Sequence, residues 1–197
     1  MSVELAEVER ILARYIVEVV EAFELCPWAR PARLGREVAV GVLFGTPDDA
    51  AWVATGRELL ARPDARVAMV VAPELVIEPL ALRVIRDRVA AAIPTAGIAD
   101  FHPAAKLDLT TPARAVPFAR RSPDPMLQLV PLALLDAVRG APPVADRARQ
   151  VAILRGAAPE IPVADRIAQT NHATIAARHA DIERVLDDIA ADRARSY

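Results

Sequence analysis

Three short apolar segments alternate with two helical segments in the first half of the chain, and this order constrains the fold more than any other feature. The apolar segments cover residues 37–44, 66–72 and 97–101, and the helical segments lie near residues 48–61 and 80–93. Alternation of this kind predicts parallel strands joined by crossover helices. The first two segments are apolar on both faces, as expected for strands covered on both sides. The sequence therefore predicts an α/β fold with three or more mainly parallel strands.

Apolar periodicity predicts further helices on both sides of this region. Residues 8–23 place apolar side chains every three or four positions, which indicates a helix with one buried face that Pro27 terminates. Two more helices are predicted at residues 126–138 and near residues 144–154. The longest is predicted at about residues 163–193, so we expect a helical C-terminal region.

The length of the chain and one irregular segment predict its organisation. At 197 residues the chain can bury about 70% of its unfolded surface in one core, so we expect a single α/β domain over residues 1–197. The segment between His102 and Met126 is rich in proline and is predicted to be an irregular loop. It begins at the carboxyl end of the third strand, where ligands bind in open parallel sheets.

Charge and hydropathy exclude several classes of partner. The chain has 24 Lys+Arg and 26 Asp+Glu, so it has no strong overall field to attract nucleic acid. No apolar run approaches the ~18 residues that span a bilayer, and Glu4 and Glu7 stand where a secretory signal needs positive charge. A lone cysteine fits a reducing compartment. We therefore expect a cytoplasmic protein that binds neither nucleic acid nor a membrane.

The strongest chemical lead is the single cysteine, Cys26, together with His102. If Pro27 begins a new helical turn, free amides beside the sulfur would favour the thiolate. The alternative is a small apolar residue buried beneath Trp28. An imidazole at His102 could act as a general base, hold Cys26 as thiolate or bind a metal. The alternative for His102 is hydrogen bonding to loop backbone that fixes the turn.

Two further groups are candidates for ligand binding. Arg120 and Arg121 precede the helix predicted at residues 126–138, where guanidinium groups could clamp a carboxylate or phosphate. The alternative is a solvated arginine pair. His172 and His179 lie on one side of the last predicted helix and could bind a metal. The alternative is a pair of hydrogen-bonded core histidines.

Several short motifs follow one another in a characteristic order. They are LCPWA at residues 25–29, Gly35-Arg36, Phe101-His102-Pro103, Arg121-Ser122-Pro123 followed by Pro125-Met126-Leu127, and Asn171 with Ile167 and Ile175 four positions to either side. In this order they resemble the signature of a bacterial domain-of-unknown-function family, number 1415, over about the whole chain. The family has no established reaction. The resemblance implies that Cys26, His102, Arg121, Ser122 and Asn171 are the site residues.

The chain departs from the family pattern at two places. Members typically follow Phe-His-Pro with an aromatic residue and Gln-Phe-Ala-Gly, where this chain has Ala-Ala-Lys-Leu-Asp at residues 104–108. They also tend to carry a histidine where this chain has Gln128. These differences predict a divergent member with an altered substrate or chemistry.

Three functions are consistent with these residues. The first is an enzyme that acts on a small anionic molecule, with Cys26 and His102 as its catalytic centre. Its substrate-binding residues would be Arg120, Arg121, Ser122, Asn171 and Trp28. The second is a haem- or metal-binding protein, with haem or iron held by residues among Cys26, His102, His172 and His179. The third is a noncatalytic interaction module whose last helix packs on a partner or on a second copy in a homodimer.

Overall fold

A computed structural model describes residues 4–139 and 163–197 of the chain. The helices are α1 (Leu5–Arg14), a π-helix (Tyr15–Glu21), α2 (Ala29–Leu34), α3 (Asp49–Leu60), α4 (Pro79–Ala92), α5 (Pro112–Ala119), α6 (Leu132–Arg139) and α7 (Val163–Ser196). The strands are β1 (Val38–Val42), β2 (Val67–Val71), β3 (Ala96–Phe101) and β4 (Met126–Pro131). The helix predicted near residues 144–154 lies outside the described residues.

The four strands form one sheet in the order β1-β2-β4-β3. β1 and β2 are parallel, with Val38 opposite Val67. β4 runs antiparallel to both of its neighbours, so that Met126 lies opposite both Val71 and Phe101. The α/β fold is confirmed, with helices between the strands and a helical C-terminal region. The prediction of a mainly parallel sheet is only partly correct. The strands β1, β2 and β3 share a direction, but only β1 and β2 are parallel neighbours.

The helix predicted at residues 126–138 is wrong in its first half. Residues Met126–Pro131 form the strand β4, and the helix begins only at Leu132. Side chains of β4 alternate between the two faces of the sheet: Met126 packs in one core cluster, and Leu127 and Leu129 pack in the other. A short apolar run fits a buried strand as well as a helix. Its position between β2 and β3 decides the outcome, because both neighbours supply backbone hydrogen-bond partners.

The irregular loop predicted between His102 and Met126 is wrong over Pro112–Ala119, because these residues form the helix α5. Thr111 caps this helix by accepting a hydrogen bond from the Arg114 amide at 3.3 Å, and Pro112 occupies its first turn. Pro117 cannot donate a backbone hydrogen bond inside the helix. Ala115 and Phe118 are nevertheless buried, so packing stabilises a helix that its prolines conceal in the sequence.

Helices cover both faces of the sheet. On one face, α3 and α4 pack with Trp52 and Leu82 in the core. On the other face, α1, the π-helix, α5 and α7 bury Tyr15, Phe118 and Ile175. This arrangement explains why the first strands carry apolar side chains in both directions.

The helix α7 turns its apolar seam toward its own core. Ile175, Ile182, Leu186 and Ile189 are buried in the cluster that also contains α1. The backbone at Arg178 is non-helical, with φ −132° and ψ 15°, so α7 is kinked there. The four apolar side chains that could have packed on a partner are therefore covered by the same chain. Among the described residues, no helix is both long and apolar enough to cross a membrane.

Candidate functional site

The predicted site residues His102, Arg120 and Arg121 meet at the carboxyl end of β3. The His102 amide donates to the Arg120 carbonyl at 3.2 Å, and Arg121 Nε donates to the Pro103 carbonyl at 3.1 Å. The Arg120 guanidinium lies over the Phe101 ring, 5.8 Å from its centre. The segment after α5 thus runs beside the turn that follows β3.

His102 is buried, and both of its ring nitrogens contact backbone. Nδ1 accepts a hydrogen bond from the Ala104 amide at 3.0 Å. Nε2 lies 2.9 Å from the Ile77 carbonyl and must therefore donate, which requires the neutral tautomer protonated at Nε2. The imidazole joins the turn after β3 to the segment before α4. Neither nitrogen is available to take a proton from Cys26.

Cys26 lies between the π-helix and α2 and is half-buried. Burial raises the pKa of its thiol, and hydrogen bonds from the Trp28 and Ala29 amides lower that pKa by less. The amides expected beside the sulfur are present. The pKa of the thiol is nevertheless raised overall, whereas the sequence predicted a lowered pKa. The thiol is therefore neutral at pH 7. Trp28 itself is 41% exposed.

Tyr15 lies close to the segment that carries Arg120. This tyrosine is buried at the start of the π-helix, and its hydroxyl lies 3.5 Å from the Ala119 carbonyl. Burial raises the pKa of Tyr15, while the charge of Arg120 lowers it and Cys26 raises it further. The hydroxyl is thus within electrostatic reach of both groups. The sequence did not single out Tyr15, although a hydroxyl on an apolar helix face was a signal.

Arg120 is half-buried, and its guanidinium is compensated by the Phe101 ring rather than by a carboxylate contact. Burial lowers the pKa of its guanidinium, and among the described residues it makes no hydrogen bond or ion pair. Asp100 attracts it, but the Asp100 carboxylate already binds Arg86 at 3.0 Å and lies 3.9 Å from Arg83. Arg83 and Arg86 therefore already compensate Asp100, and Arg86 also binds Asp87 at 2.8 Å.

The other predicted residues hold backbone in place. Asn171 is buried and donates from Nδ2 to the Leu25 carbonyl at 2.9 Å, which fixes the residue before Cys26. Ser122 is buried and donates to the Asp124 carbonyl at 2.6 Å. These contacts shape the site without presenting a polar group to a ligand.

A solvent-open surface depression of about 300 Å³ lies beside Arg121. The loop 103–107 forms one side, and Arg121 and Glu183 complete the lining. The Arg121 terminal nitrogens are 3.8 Å from the Glu183 carboxylate and 3.7 Å from the Asp187 carboxylate. Both separations are longer than a hydrogen bond.

The predicted metal ligands do not form a cluster in the described part of the chain. Residues 4–139 and 163–197 contain no group of three or more His, Cys, Asp or Glu side chains placed to hold a metal ion. His172 Nε2 lies 2.9 Å from the Leu109 carbonyl, and both His102 nitrogens contact backbone. His179 Nδ1 is buried without a hydrogen-bond partner among the described residues.

Comparison of the chain with family models, curated proteins and solved structures finds no match. The resemblance to the domain-of-unknown-function family therefore stays a prediction. Function has to be inferred from the geometry around Arg120.

Proposed function

We propose that the protein binds a small molecule through a carboxylate or phosphate group, with Arg120 as the anion-binding residue. We infer that Tyr15 and Cys26 are near the bound anion, because the pKa of Tyr15 responds to the charges of both Arg120 and Cys26. The observation that carries this proposal is the half-buried guanidinium of Arg120, which lies over the Phe101 ring and has no ion pair among the described residues.

Partial burial of this guanidinium without an ion pair costs free energy, which the contact with the Phe101 ring offsets only in part. A buried charge is tolerated when an opposite charge or hydrogen bonds compensate it, and arginine does not lose its proton under ordinary conditions. The nearest carboxylate, Asp100, is shared with Arg83 and Arg86. An anion from solution would supply the missing compensation, and a guanidinium fork suits the two oxygens of a carboxylate or phosphate.

The groups around Arg120 fit a bound anion. At pH 7 the Tyr15 hydroxyl and the Cys26 thiol both keep their protons, because burial raises the pKa of each. Neutral O–H and S–H groups can donate to an anion without repelling it. The π-helix that begins at Tyr15 is an independent indication, because such segments are frequent at functional sites.

Cys26 catalysis with His102 as base has less support than binding. The two His102 nitrogens contact Ala104 and Ile77, and the Cys26 thiol is neutral. Haem or metal binding lacks a clustered donor set in the described residues. We propose a cytoplasmic location, because one cysteine can form no internal disulfide.

Titration with inorganic phosphate and with acetate, followed by calorimetry, tests the proposal. We expect at least one of the two anions to bind the wild-type protein, and Arg120→Gln to weaken that binding by about tenfold or more, since hydrogen bonds to charged groups contribute about 1.5–3 kcal/mol. Arg62→Gln is the matched control, because Arg62 is 53% exposed and its ion pair with Asp64 is 3.7 Å long.

Two results would count against this function. One is the failure of both anions to bind the wild-type protein. The other is equal affinity in the Arg120→Gln and Arg62→Gln variants, which would show that the anion binds elsewhere. Circular dichroism of each variant establishes that the fold is retained.

A further inference from the structure

We propose that the free edge of β1 pairs antiparallel with the same edge of a second copy of this chain, so that the two four-stranded sheets become one continuous sheet. β1 lies at one end of the strand order β1-β2-β4-β3, and in the described part of the chain it pairs on one side only, with β2. An open strand edge is a template for pairing with a further strand. This inference does not depend on the anion site at Arg120.

The backbone of β1 presents hydrogen-bonding groups along this edge. The Leu43 amide donates to the Val71 carbonyl at 2.8 Å, and the Glu37 carbonyl accepts from the Val67 amide at 3.1 Å. The peptide groups of a parallel strand alternate in direction, so those of residues 38, 40 and 42 point away from β2. Within residues 4–139 and 163–197 these groups have no hydrogen-bond partner on that side.

The opposite edge of the sheet, at β3, is protected against such pairing. The His102 amide, which follows β3 directly, donates to the Arg120 carbonyl at 3.2 Å. Asp100 adds a charged side chain to this strand and binds Arg86 at 3.0 Å. Charged side chains and covered backbone are common means of blocking edge pairing. The sequence of β1, Val-Ala-Val-Gly-Val, contains neither a charge nor a proline.

The side chains of β1 complement those of a second β1. Val38, Val40 and Val42 lie on one face of the sheet and are partly buried against its core. In an antiparallel pair centred on Val40, this residue faces its own copy, and Val38 faces Val42 of the second copy. Each outward residue then exchanges both of its backbone hydrogen bonds with the residue that it faces. β-Branched side chains directly opposite each other stabilise a strand pair.

The charges at the two ends of the edge favour a second copy in this antiparallel orientation. Arg36 is exposed before the amino end of β1, and Glu74 is exposed beyond its carboxyl end, where it accepts from the Gly45 amide at 2.5 Å. Neither forms an ion pair among the described residues. The pair centred on Val40 places Arg36 opposite Phe44, which precedes Gly45, and therefore near Glu74 of the second copy. Two-fold symmetry forms this complementary contact twice.

The size of the edge sets the expected strength of the dimer. β1 has five residues, so the paired edge is about 17 Å long. Small interfaces of this kind are typical of weak, reversible complexes. We therefore expect a dimer in rapid exchange with the monomer, which requires measurements up to a protein concentration on the order of 1 mM.

Sedimentation equilibrium over that concentration range tests the proposal. We expect the wild-type protein to dimerise and Val40→Lys to raise the dissociation constant more than tenfold, because two lysines would face each other at the centre of the pair. Val84→Lys is the matched control, because Val84 is 48% exposed on α4 and does not belong to β1. This variant should dimerise like the wild-type protein, and circular dichroism establishes that each variant is folded.

A charge exchange provides a second test, which does not alter β1 itself. Arg36→Glu should weaken the dimer, because it brings two carboxylates together at each end of the pair. Adding Glu74→Arg to that variant should restore the dimer, since it reverses the charge at both ends. A loss of folding cannot produce such a recovery.

Three results would overturn the inference. The first is a wild-type protein that stays monomeric over the whole concentration range. The second is an equal dissociation constant in Val40→Lys and Val84→Lys, which would place the interface on another surface. The third is a double variant, Arg36→Glu with Glu74→Arg, that dimerises no better than Arg36→Glu alone.

Discussion

Replacing Asp124 with alanine should lower the free energy of unfolding by about 3–5 kcal/mol, the range expected when one partner of a buried ion pair is removed. The Asp124 side chain is 2% exposed and accepts hydrogen bonds from Arg193 Nε at 2.5 Å and Tyr197 Oη at 2.7 Å. Arg193 also donates to the Pro73 carbonyl at 2.6 Å. The carboxylate thus joins the end of α7 to two loops, and urea denaturation followed by circular dichroism measures its contribution.

Asp188→Ala is the control for this prediction. Asp188 forms a 2.7 Å ion pair with Arg14, but its side chain is 66% exposed, so its loss should cost less than about 1 kcal/mol. Equal destabilisation by the two substitutions would show that Asp124 does not anchor the C-terminal helix. Such a result would contradict the contacts described for Arg193 and Tyr197.

Replacing His102 with alanine should lower the free energy of unfolding by about 2–4 kcal/mol. The substitution leaves a cavity and removes the hydrogen-bond partners of the Ala104 amide and the Ile77 carbonyl. His172→Ala is the control, because His172 is only half-buried and, in the part of the chain that the structure describes, makes one such contact, to Leu109. We expect this control to lose about 1 kcal/mol in the same denaturation experiment.

This second prediction separates a structural role for His102 from a catalytic one. A residue that only transfers protons can usually be truncated without a large loss of stability. If His102→Ala unfolds at the same urea concentration as the wild-type protein, the imidazole does not fix the turn after β3. The catalytic hypothesis for His102 would then regain its support.

The elements that could be predicted from the sequence carry local signals. The two helices between the first three strands match their predicted positions closely, because Asp48 caps α3 by accepting from the Ala51 amide at 2.8 Å and Pro79 opens α4. β4 carries no such signal. Its apolar run fits a strand or a helix, and it becomes a strand through pairing with β2 and β3.

The position of His102 after the third strand was predictable, but the contacts of the neighbouring side chains were not. The sequence placed His102 correctly at the end of the third strand, and the turn there meets both arginines. It could not show that Arg121 donates to the Pro103 carbonyl while the Arg120 side chain makes no hydrogen bond within residues 4–139 and 163–197. Contacts between residues distant in sequence decide these roles, as when Tyr15 reaches the Ala119 carbonyl.

The most direct test of the proposed function is the alkylation rate of Cys26, measured with and without inorganic phosphate in alkaline solution, because burial raises the pKa of the thiol. Because the chain has one cysteine, the rate reports on a single position. We predict that phosphate slows the reaction in the wild-type and Arg62→Gln proteins and leaves the rate in Arg120→Gln unchanged. Phosphate binding to the wild-type protein that leaves the Cys26 rate unaltered, or that slows it equally in Arg120→Gln, would contradict an anion site shared by Arg120 and Cys26.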